Sequence, residues 1–162
     1  MPAPALIDLA TIDPDKVVAD IETIRASNPQ RYEFEQLTAI CHFDAEAGTV
    51  AGILDVPEEP WWGRGHVPGR PLMPGVLMLE SAAQLCSWCV HQVYTAEQKG
   101  EGRIFGFGGI DGVKFRSVLF PPARMIILGR KAEIRPRRAV FDTQGYVDGK
   151  QVFQARITGM WV

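Results

Sequence analysis

A chain of 162 residues with 46% apolar and 22% charged side chains has the ordinary profile of a soluble globular protein, long enough for one domain with a real core. Its three cysteines, Cys41, Cys86 and Cys89, exclude a disulfide framework and suit a reducing compartment. The net charge of −2 hides a split: residues 1–100 carry six basic against fourteen acidic side chains (−8) and residues 101–162 eleven against five (+6), which favours an acidic partner or head-to-tail self-association beside the plain alternative of solvated strand faces.

The opening MPAPALIDLATID lacks the basic leader and long apolar run of a signal peptide, and its early aspartates argue against a transit peptide, so a cytoplasmic protein is expected. In TIDPDKVVADIETIRAS, Asp13 as a cap, Pro14 at the first helical position, and Val17, Ile21 and Ile24 on one stripe predict a short amphipathic helix. NPQRYEFEQ breaks it. TAICHF and TVAGILDV then read as two strands joined through DAEAG. The loop PEEPWWGRGHVPGRPLMPG places five prolines in 19 residues with glycines between them, so its backbone has few choices and some positions need positive φ.

Pro74 opens a helix that from Val76 runs without another proline or glycine to Gly100, apolar nearly all the way round as in a helix enclosed by protein. From Pro71 to Ala96 its only formal charge is Glu80; this carboxylate, with Gln84, His91 and Gln92, argues against a membrane span. Glu80, Gln84, Ser87 and His91 share one helix face. After Gly100, IFGFGGIDGVKF, ARMIILGRKAEI, RAVFDTQGYV and KQVFQARITGMWV read as four strands, the last two joined by the tight-turn pair Asp148 and Gly149. About six strands with one long buried helix predict an α+β layout in which an antiparallel sheet curls around that helix. There is no internal repeat, low-complexity tract or interdomain linker.

The chemistry collects at the loop-to-helix junction. Free backbone N–H groups near Gly75 and Val76, aided by the helix dipole, can hold an oxygen that becomes anionic, such as a thioester enolate. His66 is suited to remove the α-proton, because imidazole titrates near neutrality. Glu80, inside the apolar helix, is expected to stay protonated and to donate to a departing hydroxyl. Taken singly, His66 could stabilise the loop, and Glu80 could pair with Arg64 or Arg70. Together they describe elimination of water from a 3-hydroxyacyl thioester, or its reverse.

The run EEPWWGRGHVPGRPLMPGVLMLESAAQL closely resembles the active-site segment of the 3-hydroxyacyl-[acyl-carrier-protein] dehydratases, the FabZ/FabA group with the hotdog fold. The likeness extends weakly through DIETIRASNPQRYEF upstream and GGIDGVKFRSVLFPP downstream, covering residues from about 20 to 162. It implies one hotdog dehydratase domain over 1–162, with 1–28 as an N-terminal extension and short helix. By position it assigns His66 and Glu80, fourteen residues apart, as catalytic, and Gly75, Val76 and Gln84 as substrate-binding. Glutamate at position 80 is the FabZ type.

The resemblance further implies an acidic acyl carrier protein delivering a phosphopantetheine-linked chain to Lys114 and Arg116, with Arg135, Arg137 and Arg138 as weaker candidates. It implies a homodimer with shared active sites or a trimer of dimers, no cofactor, no metal, no nucleic acid and no membrane. Val67, Gln30, Glu33, Pro122 and Ala123 depart from the family pattern without touching the acid–base pair. A hotdog thioesterase and a non-catalytic acyl-carrier-binding subunit stand as alternatives.

Two other signals are set aside. Cys86 and Cys89 spell C-x-x-C, but they follow more than two turns of helix, away from the N-terminus that lowers a thiol pKa, and with His91 supply too few ligands for zinc. GFGGIDG leads into VKF, a strand-like run, where a nucleotide loop would need a helix.

Overall fold

The computed structural model describes Met1 and residues 3–162. Six strands form one antiparallel sheet: β1 (Ala39–Asp44), β2 (Thr49–Val56), β3 (Phe105–Phe115), β4 (Ala123–Arg135), β5 (Arg138–Val147) and β6 (Lys150–Trp161). Their spatial order is β1-β2-β4-β5-β6-β3, so β1 and β3 are the two edges. Among the described residues three α-helices accompany them: α1 (Ile21–Ser27), α2 (Gly75–Val93) and α3 (Ala96–Lys99). The expected curl of sheet around helix is present: α2 contacts β2, β3, β4, β5 and β6. This is the hotdog architecture.

The sheet alternates as period-two strands should, with Met125 and Ile127 of β4, Phe141 of β5 and Phe153 of β6 turned onto α2. From the helix, Leu85 and Val90 are fully buried among them. The β5–β6 hairpin turns at Asp148 (φ 49) and Gly149 (φ 74), the pair of left-handed conformations that a two-residue turn requires.

Two expectations are corrected. The first helix begins at Ile21 under the Asp20 cap, whose side chain accepts from Thr23 N at 2.9 Å, and does not begin at Asp13. Residues 18–19 are extended instead, because Val18 N–H donates to Ile40 O (2.8 Å) and Ala19 O accepts from Ile40 N (2.9 Å) at the sheet edge. The second correction is that the long helix stops at Val93 and does not continue to Gly100. Tyr94 turns extended, its hydroxyl held between the carbonyls of Arg135 (2.5 Å) and Arg138 (2.9 Å), and Thr95 with Gln98 forms a capping box that starts α3 afresh.

A second apolar cluster lies apart from the α2 core. Leu6, Ile7, Leu9 and Ile12 of the N-terminal segment pack on Cys41, Ala51, Ile53, Leu128 and Tyr146. Gln144 fastens the segment, accepting from Leu6 N (2.9 Å) and donating to Pro4 O (3.0 Å). Among the described residues no helix is long and apolar enough to cross a membrane.

Candidate active site

The loop between β2 and α2 is a chain of short backbone turns. Gly63 N–H reaches Pro60 O (2.9 Å), His66 N–H reaches Trp62 O (2.9 Å), and Arg70 N–H reaches Val67 O (2.9 Å). Gly69 takes φ +78, the conformation expected of a glycine in such a loop. Trp62 and Met73 are buried and anchor the loop to the core, while Met73 N–H donates to Leu119 O at 2.8 Å. His66 is exposed between these anchors. Its Nδ1 lies 3.0 Å from Leu72 O. A carbonyl can only accept, so in the neutral ring Nδ1 is the nitrogen that bears hydrogen and Nε2 the one with the lone pair.

Pro74 occupies the cap of α2 without a side-chain hydrogen bond. The N–H groups of Gly75 and Val76 have no acceptor among the described residues. The Phe115 ring closes over this helix end so tightly that a Cβ at residue 75 would sit 2.7 Å from its Cζ. Glycine is therefore dictated by close approach.

Glu80 is half-buried on α2 and has no salt bridge among the described residues; the pairing with Arg64 or Arg70 is not formed. Burial raises its pKa above the ordinary carboxylate value, opposed by the hydrogen bond from Gln84. Gln84 is buried and fixed. Its Nε2 donates to Glu80 Oε1 (2.8 Å) and Phe34 O (2.7 Å), and its Oε1 accepts from Gln36 N (2.9 Å). Asn28 Nδ2 adds a bond to the Gln84 carbonyl at 2.9 Å. Both amide hydrogens of Gln84 are thus engaged by protein groups, and what it holds is the carboxyl of Glu80. The anchors Leu72, Phe34 and Gln36 act through backbone atoms, which no residue type announces in a sequence.

Glu80 opens onto a cavity of about 160 Å³ with Ala83 and Ser87 of α2, Phe105 and Phe107 of β3, and Gln30. His66 is not among its lining residues, so the two expected catalytic groups face different regions of one protomer. Lys114 and Arg116 are exposed on either side of Phe115, near the start of α2, and Arg116 donates to Gln154 Oε1 at 2.9 Å. Arg135 and Arg138 pair with Glu133, and the carbonyls of both hold Tyr94, at the opposite end of the helix. Their placement, with Arg137 between them in the same turn, separates all three from the helix start by most of its 19 residues, about 27 Å.

Neither discounted signal gains from the fold. Cys86 and Cys89 are free and buried, and burial pushes the first thiol well up and the second to about 12. No group of metal-ligating side chains occurs among the described residues. A larger hollow of about 420 Å³ lies on the outer sheet face, where Arg130, Asp142, Arg156 and Asp111 stand opposite one another across four strands. Its charges compensate one another, and the groups suited to chemistry lie elsewhere.

A family model, the FabA-like domain, matches residues 28–156. The chain is 33% identical over 138 residues to a 3-hydroxyacyl-[acyl-carrier-protein] dehydratase FabZ of Desulfotalea psychrophila, covering 85% of this chain and 90% of that one. It is 30% identical over 142 residues to a dehydratase of the same description from Polynucleobacter asymbioticus, covering 88% and 92%. Among solved structures, the dehydratase heterocomplex ApeI:P of Xenorhabdus doucetiae superposes with a TM-score of 0.69 at 12% identity, over 86% of this chain and 90% of that one. A mutant thioesterase of Pseudomonas aeruginosa gives 0.64 at 17%, over 90% and 95%. At such identities the structural likeness concerns the fold alone.

Proposed function

This chain belongs to the FabA-like family, in its 3-hydroxyacyl-[acyl-carrier-protein] dehydratase branch, and from that premise we propose how its residues divide the reaction. The protein is a hydro-lyase of fatty acid biosynthesis that converts 3-hydroxyacyl-[acyl-carrier-protein] to the trans-2-enoyl form. His66 Nε2 takes the C2 proton; the electrons of that bond form the C2–C3 double bond as the C3–O bond breaks; Glu80 supplies the proton with which the hydroxyl leaves as water. The N–H groups of Gly75 and Val76 donate to the thioester oxygen as it gains charge. Gln84 orients Glu80. The observation that carries this reading is the Glu80–Gln84 pair: a carboxyl whose pKa burial raises, held in one orientation by a fixed donor, is suited to give up a proton to a leaving hydroxyl.

The site is completed between two copies of the chain. Supporting this, β3 is an edge strand with its outer side unpaired, and Ile104, Phe107 and Phe115 on or beside it are each about half exposed, with Val76 at 70%. The same stretch lines the Glu80 cavity, which lacks a base of its own protomer. Pairing two β3 edges would bring the His66 loop of one copy to the Glu80 cavity of the other. The dimer, or a trimer of dimers, works in the cytoplasm with an acidic acyl carrier protein docked at Lys114 and Arg116, which flank the Phe115 end of β3.

Mixing separately inactive His66→Ala and Glu80→Gln proteins tests the shared site. Subunit exchange yields mixed dimers with one intact site each, and hydration of a trans-2-enoyl thioester returns to about a quarter of the wild-type rate. No recovery after demonstrated exchange would place base and acid in one protomer. Release of free thiol in place of alkene chemistry would make the protein a thioesterase.

A further inference from the structure

The two peptide groups that hold the Gln84 side chain flank one residue, Glu35. Phe34 C=O, which accepts from Gln84 Nε2 (2.7 Å), is joined to the Glu35 nitrogen; Gln36 N–H, which donates to Gln84 Oε1 (2.9 Å), is joined to the Glu35 carbonyl carbon. With both peptides planar, only φ and ψ of residue 35 set the angle between them. These are −69° and 118°, extended backbone, which turns the carbonyl before a residue and the N–H after it to the same side. One primary amide can then meet both. The backbone leading into this clamp is strained: Tyr32 opens the 3-10 turn Tyr32–Phe34 at φ 57 with its ring in solvent, so it has an easier conformation to relax into unless its neighbours hold it.

The side chain on that Cα is tied down. Arg25 Nε donates to Glu35 Oε1 (3.1 Å) and Nη2 to Oε2 (3.0 Å), and the carboxylate is 15% exposed. A two-pronged pair of this kind fixes direction as well as distance. The same guanidinium meets Glu22 at 2.6 Å, but that carboxylate is 74% exposed and one turn away on the same helix, a contact of little energy. The helix that carries Arg25 is itself fixed to α2. Ile24 of α1 is buried in the α2 core, and Asn28 at the end of α1 donates from Nδ2 to the Gln84 carbonyl. The contacts thus close a ring that begins at the Gln84 main chain, passes through α1, Arg25 and Glu35, and returns to the Gln84 side chain.

We propose that Glu35, gripped by Arg25, is a positioning residue for the reaction: it fixes the 34–36 backbone that aims the Gln84 amide, and through that amide it orients the Glu80 carboxyl. Its effect reaches the chemistry through two links, without contact with substrate. The inference rests on the dehydratase reading for what the carboxyl does, while the linkage from Glu35 to Glu80 belongs to the fold whatever the reaction.

The test follows the Glu80 carboxyl by carbon-13 NMR titration, its resonance assigned by its loss in Glu80→Gln. Glu80 is the only titratable side chain among the described residues that line its cavity, and the Gln84 bond opposes the upward push of burial on its pKa. Removing a carboxylate lowers the pKa of another acid through its field alone, whereas losing the Gln84 donation raises it, so the sign separates the two causes. Glu35→Ala should move the Glu80 midpoint upward, as Gln84→Leu does, and should raise it no further when added to Gln84→Leu. An unmoved or lowered midpoint in folded Glu35→Ala overturns the proposal. Should that variant fail to fold, Arg25→Lys keeps the charge and loses the fork; a smaller upward shift upholds the linkage and none overturns it. In kinetics, Glu35→Ala should lower kcat about tenfold with KM within about twofold of the wild type, and Gln84→Leu/Glu35→Ala should be no slower than Gln84→Leu alone. Losses that multiply in the double variant would make the ion pair merely stabilising. A wild-type protein without turnover would remove the dehydratase reading and leave the titration to decide the linkage.

Discussion

His66 and Glu80 are held in opposite surroundings. The histidine stands exposed on a loop without regular structure, stiffened by turns and by Gly69 at φ +78, with only the Leu72 carbonyl fixing its ring. The glutamate stands half-buried on a regular helix, fixed through the Gln84 amide to the backbone of residues 34 and 36. A base needs an accessible lone pair pointed in one direction, and backbone turns supply direction without removing water. An acid that must keep its proton needs dryness, which only packing supplies. Position is secured in both cases, by main chain on one side and by a side-chain network on the other.

Breaking either half should cause the largest effect. Under the proposed roles, His66→Ala and Glu80→Gln each lower kcat/KM for enoyl hydration by about 10²–10⁴-fold while thermal melts show a folded protein; full activity in either variant ends the assignment. Next comes the network. Gln84→Leu leaves the Gln36 N–H and Phe34 C=O unpaired, costing about 1–3 kcal/mol for each group in urea unfolding. The variant also loses the donation that favours the ionised Glu80, so in the dehydration direction, where Glu80 must be protonated, the alkaline limb of the pH–rate profile moves to higher pH. An unmoved limb would show that Gln84 does not govern the acid.

Gly75→Ala probes the meeting point of loop and helix. Its new Cβ collides with the Phe115 ring, and we expect a loss of about 1–3 kcal/mol that Phe115→Leu in the same chain largely restores. If the double variant remains as unstable as the single one, the ring contact is not the cause. The smallest effect sharpens the contrast in hydration. Because the folded carboxyl of Glu80 is raised above 4.5, its contribution to stability is present below that value and fades as pH rises through the folded pKa. Glu80→Gln removes the dependence, so the inactive variant should gain stability over the wild type at pH 7 and lose that advantage at pH 4. Parallel stability curves across that range would mean the carboxyl is not desolvated.

Much of this site could be read in the chain, for reasons that differ by residue. The loop announces itself through Pro and Gly, the start of α2 through Pro74, and the β5–β6 turn through Asp148 and Gly149, because each residue type limits its own backbone. The break at Tyr94 carried a local sign in Thr95 and Gln98, a Thr-x-x-Gln capping pair that the unbroken apolar run masks. The start of α1 carried an ambiguous one, since both Asp13 and Asp20 can cap, and pairing of residues 18–19 with Ile40 decides between them. The N-terminal segment gave no sign that Leu6, Ile7, Leu9 and Ile12 would cover the outer sheet face.

The sequence by itself determined the strands, the start of the long helix, the rigid junction, and the identity of the acid and base candidates, since these follow from backbone preferences and side-chain chemistry over a few neighbouring residues. Only the tertiary structure decided which carbonyl His66 Nδ1 meets, what holds Gln84 and which residues line the Glu80 cavity. Those depend on groups brought together from distant parts of the chain: Phe34 lies 50 residues from Gln84, and Thr158 and Gly159 line the cavity from the last strand. Burial and hydrogen bonding are properties of such meetings, and no single segment contains them.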